Sequence, residues 1–397
     1  MRRTYILPIL AVFVLMSCSH PAKKETAPKD LQQICETNFD LAVSQYEYMA
    51  SLLAPDQFPK TFEDDTLHTS GSGWWCSGFY PGTLLYLFEH TGDSTLLNEA
   101  YGILKVLQKE QYNTHTHDLG FMMYCSFGNA NRINPDSTYQ QILVNSARSL
   151  STRFDKKVGV IKSWDSKPED YLVIIDNMMN LELLFWATQQ TGDSSFYDIA
   201  ITHANTTIKN HFRPDYSSYH VLNYDPETGE VQEKMTAQGY SDESAWARGQ
   251  VWGLYGFTVM YRFTRDEKYL EQAKHIAEFL LSHPNMPADK ILYWDFNAPD
   301  IPDAKRDVSA TAVMASAFLE LKDYVEEDFS KVLAETSRQV ITNLSTPEYL
   351  SAPGTNGGFL LKHSVGHIPQ GTEVDVPLTY ADYYFVEAMH RLFPKGN

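Results

Sequence analysis

The sequence predicts an all-α protein, a single (α/α)6 barrel of six helical hairpins. Two observations carry that expectation. From residue 31 onward apolar residues recur at helical spacing, while sustained period-2 alternation is scarce. Short and long connections then alternate along the chain, as they do when hairpins stand side by side with every long loop at one end. An open helical solenoid is the rival arrangement of the same hairpins.

Apolar spacing and breakers place twelve helices, at about 31–53, 80–90, 94–110, 119–131, 137–154, 173–190, 194–211, 243–263, 267–282, 308–324, 328–344 and 378–392. A repeated punctuation separates them. Thr91-Gly92-Asp93-Ser94, Thr191-Gly192-Asp193-Ser194 and Thr264-Arg265-Asp266 each end a helix on Gly or a polar residue and offer Asp or Ser to cap the next. The long connections are 54–79, 155–172, 212–242, 283–307 and 345–377, with 111–118 the short exception. Six such hairpins can close into a ring with an inner and an outer helix layer. No shift in composition marks a second domain, so 31–397 reads as one.

The N-terminus reads as an address. Arg2 and Arg3 precede an apolar run, Tyr5 to Leu15, that is too short to span a bilayer. Leu15-Met16-Ser17-Cys18 resembles a bacterial lipobox, which makes 1–17 a lipoprotein signal peptide and Cys18 the lipidated residue. Residues 18–30 then form a flexible tether, and the expected location is the periplasm, with the lipid as the sole membrane contact. Cys35, Cys76 and Cys125 are too few and too scattered for a disulfide framework or a zinc site.

Composition narrows the function. The 397 residues are 43% hydrophobic and 21% charged, which excludes wholesale disorder. A net charge of −18 argues against a nucleic-acid partner, which needs a basic stripe. Aromatic residues make up 13%, a content that suits stacking on sugar rings as well as filling a core. Five of the seven tryptophans fall in the long connections or at the helix starts that follow them, so a cleft is expected at that end.

Two carboxylates stand out there. Asp118 caps or begins the fourth helix, beside His115 and His117, and Asp176 enters the sixth straight after the apolar run Leu172 to Ile175. Each could be a plain helix cap. The hydrophobic company of Asp176 instead suggests a poorly solvated carboxyl with a raised pKa, as a general acid near neutral pH requires. His115-Thr116-His117-Asp118 could hold a metal, but no second ligand set follows it. No nucleophile elbow, phosphate loop or dinucleotide fingerprint is present. In the segment Gln238 to Trp252, Arg248 lies one turn from both Ser244 and Trp252. That spacing suits a structural cation–π contact for Trp246 and an anionic-ligand face for Arg248 and Trp252.

The matching stretches now converge on a family. Trp75-Cys76-Ser77-Gly78-Phe79-Tyr80-Pro81-Gly82, His117-Asp118-Leu119-Gly120-Phe121, Ile175-Asp176-Asn177-Met178-Met179-Asn180, Gln238-Gly239-Tyr240 through Trp252, and Trp294-Asp295-Phe296 with Arg306-Asp307 resemble the unsaturated glucuronyl hydrolases, glycoside hydrolase family 88. The resemblance covers residues 35 to 393. It implies the same barrel, no metal or organic cofactor, and removal of the 4,5-unsaturated uronic acid from oligosaccharides left by polysaccharide lyases. It also implies roles: Asp176 as general acid/base, Asp118 as second carboxylate, and His117, His220, Gln238, Arg248 and Trp252 around the unsaturated sugar, with Trp75 as an aromatic wall. The chain departs from the family's pattern at Cys76, Tyr80 and Ala237 and along the loop from His363 to Val374, which bears on the second sugar. Alternatives are the sister hydrolases of unsaturated rhamnogalacturonyl substrates, and a non-catalytic glycan-binding lipoprotein.

Overall fold

The computed structural model describes residues 30–394, so the signal peptide, Cys18 and nearly all of the tether lie outside the described residues. The fold is mostly helical. Its helices are α1 (Leu31–Leu52), α2 (Phe79–Thr91), α3 (Ser94–Leu107), α4 (Asn129–Ile133), α5 (Ser137–Ser151), α6 (Leu181–Thr191), α7 (Ser194–His211), α8 (Ala247–Thr264), α9 (Glu267–Ser282), α10 (Val308–Leu321), α11 (Glu327–Leu344) and α12 (Thr379–Leu392). A π-helix over Gly120–Gly128 runs directly into α4, and the two together occupy the place of the fourth expected helix.

Packing follows the hairpin order. The helices α2, π, α6, α8, α10 and α12 each pack on the next, and α12 returns to α2. Around them, α3 packs on α2, α5 on the π-helix and α6, α7 on α6, α9 on α8, and α11 on α10. The sequences reflect this division. In α8 every residue from Ala247 to Met260 is buried, and α10 is buried almost end to end, whereas α9 and α11 each bury one stripe. The repeated punctuation does what its chemistry suggests. Gly92 and Gly192 end their helices at φ 75° and 74°, and Asp93, Asp193 and Asp266 accept the N–H groups of Thr95, Ser195 and Lys268 at 2.8, 2.9 and 3.2 Å. The cap is Asp in all three.

The long connections hold what the periodicity did not predict. Among the described residues they contain nine short strands: β1 (Phe58–Glu63), β2 (Thr66–Ser70), β3 (Phe154–Asp155), β4 (Val160–Ile161), β5 (Tyr171–Ile174), β6 (Val221–Tyr224), β7 (Val231–Met235), β8 (Ser364–His367) and β9 (Thr372–Val376). They form three antiparallel pairs and one three-stranded sheet, β5-β6-β7.

Two expected helix starts are corrected. Val173 and Ile174 belong to β5, paired with Leu222 and Val221, and Asp176 sits in a 3₁₀ turn over Ile175–Asn180 that precedes α6. A short apolar run reads alike as buried strand or buried helix, and here its β-branched residues found an antiparallel partner. Likewise α8 starts at Ala247 rather than at 243, because Trp246 pairs with Asp295 across an isolated bridge.

Candidate active site

Two short backbone segments bring the carboxylates together. The 3₁₀ turn after β5 presents Asp176, and the π-helix starts just after Asp118. They touch through Gly120, where a Cβ would fall 2.5 Å from the Cα of Asn180. Asn180 Oδ1 accepts the Phe121 N–H at 3.0 Å and closes this contact. On the other flank Asn177 donates to the Ile161 carbonyl at 2.6 Å and accepts the Ser163 hydroxyl at 2.8 Å. Behind the turn, α8 approaches at Gly256, whose absent Cβ would lie 2.4 Å from that of Met178.

The result is a cavity of about 310 Å³ at the long-loop end. Trp74, Trp75 and Trp164 wall it, and His117, Asp118, Asp176, Gln238 and Arg248 supply its polar groups. Six of the eight expected catalytic and binding residues therefore line one space, and the other two flank Asp176. His220 Nε2 lies 3.9 Å from Asp176 Oδ2, and Trp252 is wholly buried beside it. Thr116 also lines the cavity and donates to Asp118 Oδ2 at 3.0 Å. Nothing in an isolated Thr signals such a role. His115 points elsewhere, to Asp165 at 3.4 Å on the surface. Tyr80 is buried away from the cavity, donating to Glu99.

Burial pushes the Asp176 carboxyl up to about 7; Arg248 opposes that rise, Asp118 adds to it, and the Trp252 side chain slightly opposes it. Asp176 Oδ2, His220 Nε2, Trp252 Nε1 and His117 Nε2 are all buried with no hydrogen-bond partner. Of these residues Asp176 and His117 line the cavity, where a ligand would pair with them. The Trp252 N–H stands near Asp176 but outside hydrogen-bond geometry.

Two histidines have their tautomers set by neighbours. His220 Nδ1 accepts the backbone N–H groups of Ala237 and Gln238 at 3.1 and 3.2 Å, so its proton is on Nε2, toward Asp176. At Ala237, where the chain departs from the family's pattern, this contact is made by the backbone N–H. His117 Nδ1 donates to the Ser163 carbonyl at 2.9 Å, and its Nε2 stands 3.1 Å from Asp118 Oδ1 without hydrogen-bond alignment. Burial lowers the pKa of both rings; Asp118 works against this at His117, and Arg248 adds to it at His220.

Arg248 corrects one expectation. It borders the cavity, but its guanidinium does not offer a free fork to a ligand. Nη1 donates to Asp307 Oδ2 at 2.8 Å and to the Val365 carbonyl, and Nη2 donates to Gln238 Oε1 at 2.6 Å and the Gly366 carbonyl at 2.8 Å. The predicted Trp246 contact is present, with Arg248 Cζ 4.5 Å from the ring. Arg248 is thus a buried hub whose charge reaches the cavity while its hydrogen bonds go to the protein.

The chain as a whole is similar to known proteins. Residues 54–350 match the family model described as Glycosyl Hydrolase Family 88. The chain is 41% identical to an unsaturated glucuronyl hydrolase of Formosa agariphila over 98% of this chain and 97% of that one. It is 34% identical to an unsaturated chondroitin disaccharide hydrolase of Streptococcus pneumoniae, over 85% and 86% of the two chains. A crystal structure of an unsaturated glucuronyl hydrolase specific for heparin superposes with a TM-score of 0.88 at 46% identity, covering 91% of this chain and 97% of that one.

Proposed function

The chain belongs to glycosyl hydrolase family 88, and from that premise we propose that Asp176 starts the reaction by protonating a double bond. The enzyme removes the 4,5-unsaturated uronic acid from the non-reducing end of lyase-generated oligosaccharides. The observation that carries the mechanism is the buried Asp176 carboxyl, held near 7 with an unpartnered oxygen at the cavity. A pure glycan binder has no use for such an acid.

In the substrate, C4=C5 is conjugated to the carboxylate and C5 bears the ring oxygen, which makes a vinyl ether. Asp176 gives its proton to C4, and the positive charge that forms at C5 is shared with the ring oxygen. Water adds to C5 and returns a proton to the Asp176 carboxylate. The hemiketal then opens by breaking the bond between C5 and the ring oxygen, leaving a ketone at C5 and a hemiacetal at C1 that expels the second sugar as an alcohol. One water is consumed, and one acid/base serves both proton transfers, so the carboxylate-separation rule of ordinary glycosidases does not apply. Asp118 keeps the Asp176 proton affinity high and holds the sugar together with His117 and Gln238. The His220 N–H is aimed at the reacting edge, Trp252 backs Asp176, and Trp75 walls the ring. Arg248 contributes charge rather than a bidentate grip on the uronate carboxylate.

Several finer readings belong with this proposal. The closed packing order of the inner helices supports an (α/α)6 barrel, with 31–397 as one catalytic domain. The relatives' names, chondroitin in one and heparin in another, support a glycosaminoglycan-type substrate. The lipobox-like Leu15 to Cys18 supports a lipid anchor facing the periplasm, and Cys18→Ala is expected to move the protein from the membrane to the soluble fraction.

The double bond absorbs in the ultraviolet, so mixing the protein with unsaturated disaccharides from chondroitin, hyaluronan and heparin is expected to bleach that absorbance. Run in heavy water and read promptly by NMR, the product is expected to carry one deuterium at C4. Binding without bleaching would restore the glycan-binder reading. An unlabelled C4, with solvent oxygen at C1, would restore ordinary glycosidic hydrolysis.

A further inference from the structure

Arg248 ties three separate segments together at the cavity: the loop with Gln238, strand β8 at Val365 and Gly366, and the start of α10 at Asp307. Only the last of these is charged. We infer that Asp307 is a positioning residue for the reaction, acting through Arg248 to hold Gln238 and β8 at the cleft and to balance the positive charge beside Asp176. The inference rests on the reading of Asp176 as the acid.

The two oxygens of Asp307 do separate jobs. Oδ1 caps α10, accepting the N–H groups of Ser309 and Ala310 at 3.0 and 3.2 Å and the Ser309 hydroxyl. An amide oxygen can do the same. Oδ2 faces Arg248 at 2.8 Å, in a pair whose side chains are 0% and 3% exposed. A cap does not need that charge, and Arg248 does: its other three acceptors are neutral, and an unpaired buried guanidinium is costly. Asp307 itself is fully buried and is not among the residues that line the cavity, so any influence on substrate passes through Arg248.

The sign of that influence follows from the groups that face Asp176. They are Arg248 from α8, Asp118 from the segment before the π-helix, His220 from the segment before β6, and Trp252 from α8. His117 stands behind Asp118. Without the Asp307 carboxylate, Arg248 is no longer screened on its far side and stabilises ionised Asp176 more strongly. Loss of the negative charge of Asp307 acts directly in the same direction.

Asp307→Asn keeps the cap and removes the charge. Titration of Asp176, read by carboxyl-carbon NMR without substrate, is expected to move down by about half a pH unit or more. The basic limb of kcat/KM is expected to move with it, and KM to rise as Gln238 loosens. The double variant Asp307→Asn with Arg248→Gln leaves no unpaired buried charge, so it keeps the question open to measurement if the single variant does not fold. Its Asp176 midpoint is expected above that of the parent. An unmoved midpoint in the folded single variant, or in the double variant, would overturn the inference. If the parent fails to turn over unsaturated disaccharides, the proposed function falls, while the substrate-free titration still tests the coupling.

Discussion

Asp176→Asn is expected to lose about 10²–10⁴-fold in kcat on unsaturated disaccharides, the usual worth of a general acid/base. The amide keeps the shape and cannot give a proton to C4. No neighbour replaces it: the His220 proton is pinned on Nε2 by two backbone donors, and burial holds that ring neutral. The same substitution has a second consequence that separates lost chemistry from lost folding. Asp176 has a folded pKa of about 7 against an ordinary 3.8, so between those values the native state keeps a proton that the unfolded chain gives up. Stability from this group therefore falls as pH rises through that window, and Asn escapes the loss. The variant is expected to be inactive yet melt higher than the parent at pH 8. Retained turnover, or a lower Tm there, would remove Asp176 from the role of a desolvated acid.

Glu320→Ala is expected to cost about 1–3 kcal/mol of stability while leaving kcat unchanged well below the melting range. Glu320 lies near the far end of α10, opposite the cavity that Asp307 adjoins at the near end. It receives Arg262 at 2.6 and 2.8 Å and Arg391 at 2.8 Å, while Arg262 also pairs with Glu182. Glu387 accepts Tyr86, Tyr255 and Ser316 in the same network. All of these but Ser316 line a second cavity of about 480 Å³. Removing Glu320 leaves two half-buried guanidinium groups with one carboxylate each, Glu182 for Arg262 and Glu387 for Arg391, which costs more than the loss of an exposed pair. Despite burial, Arg391 and Arg262 pull its carboxyl down to about 2. Its contribution is therefore complete above about pH 4.5 and fades as pH falls toward 2. A urea midpoint within error of the parent at pH 7 would show that the network is solvated rather than bearing on stability.

Much of this was readable in the chain before any coordinates. Helix order came from apolar spacing, and the Thr-Gly-Asp punctuation located hairpin turns because a left-handed Gly and an Asp cap are local requirements of a helix end. The cavity's membership was legible through the motif stretches, which carried Asp118, Asp176, Gln238 and Arg248 to one place. Other features stayed hidden for a common reason. β5 was indistinguishable from a helix start because its partner, β6, lies some fifty residues onward. Thr116 gave no sign, since only its distance to Asp118 makes it part of the site.

What the sequence by itself determined is the set of helices, their caps, and the identity of the groups that could do acid/base work, because helix formation and proton chemistry depend on a residue and its near neighbours. Only the tertiary structure decided what those groups are able to do. The charges that tune the Asp176 carboxyl, the tautomer of His220 and the spent donors of Arg248 are each set by atoms far away in the chain: Asp118 and Arg248 for the first, Ala237 and Gln238 for the second, and Asp307, Val365 and Gly366 for the third. Electrostatic energy depends on distance and dielectric in space, and neither is written in sequence order.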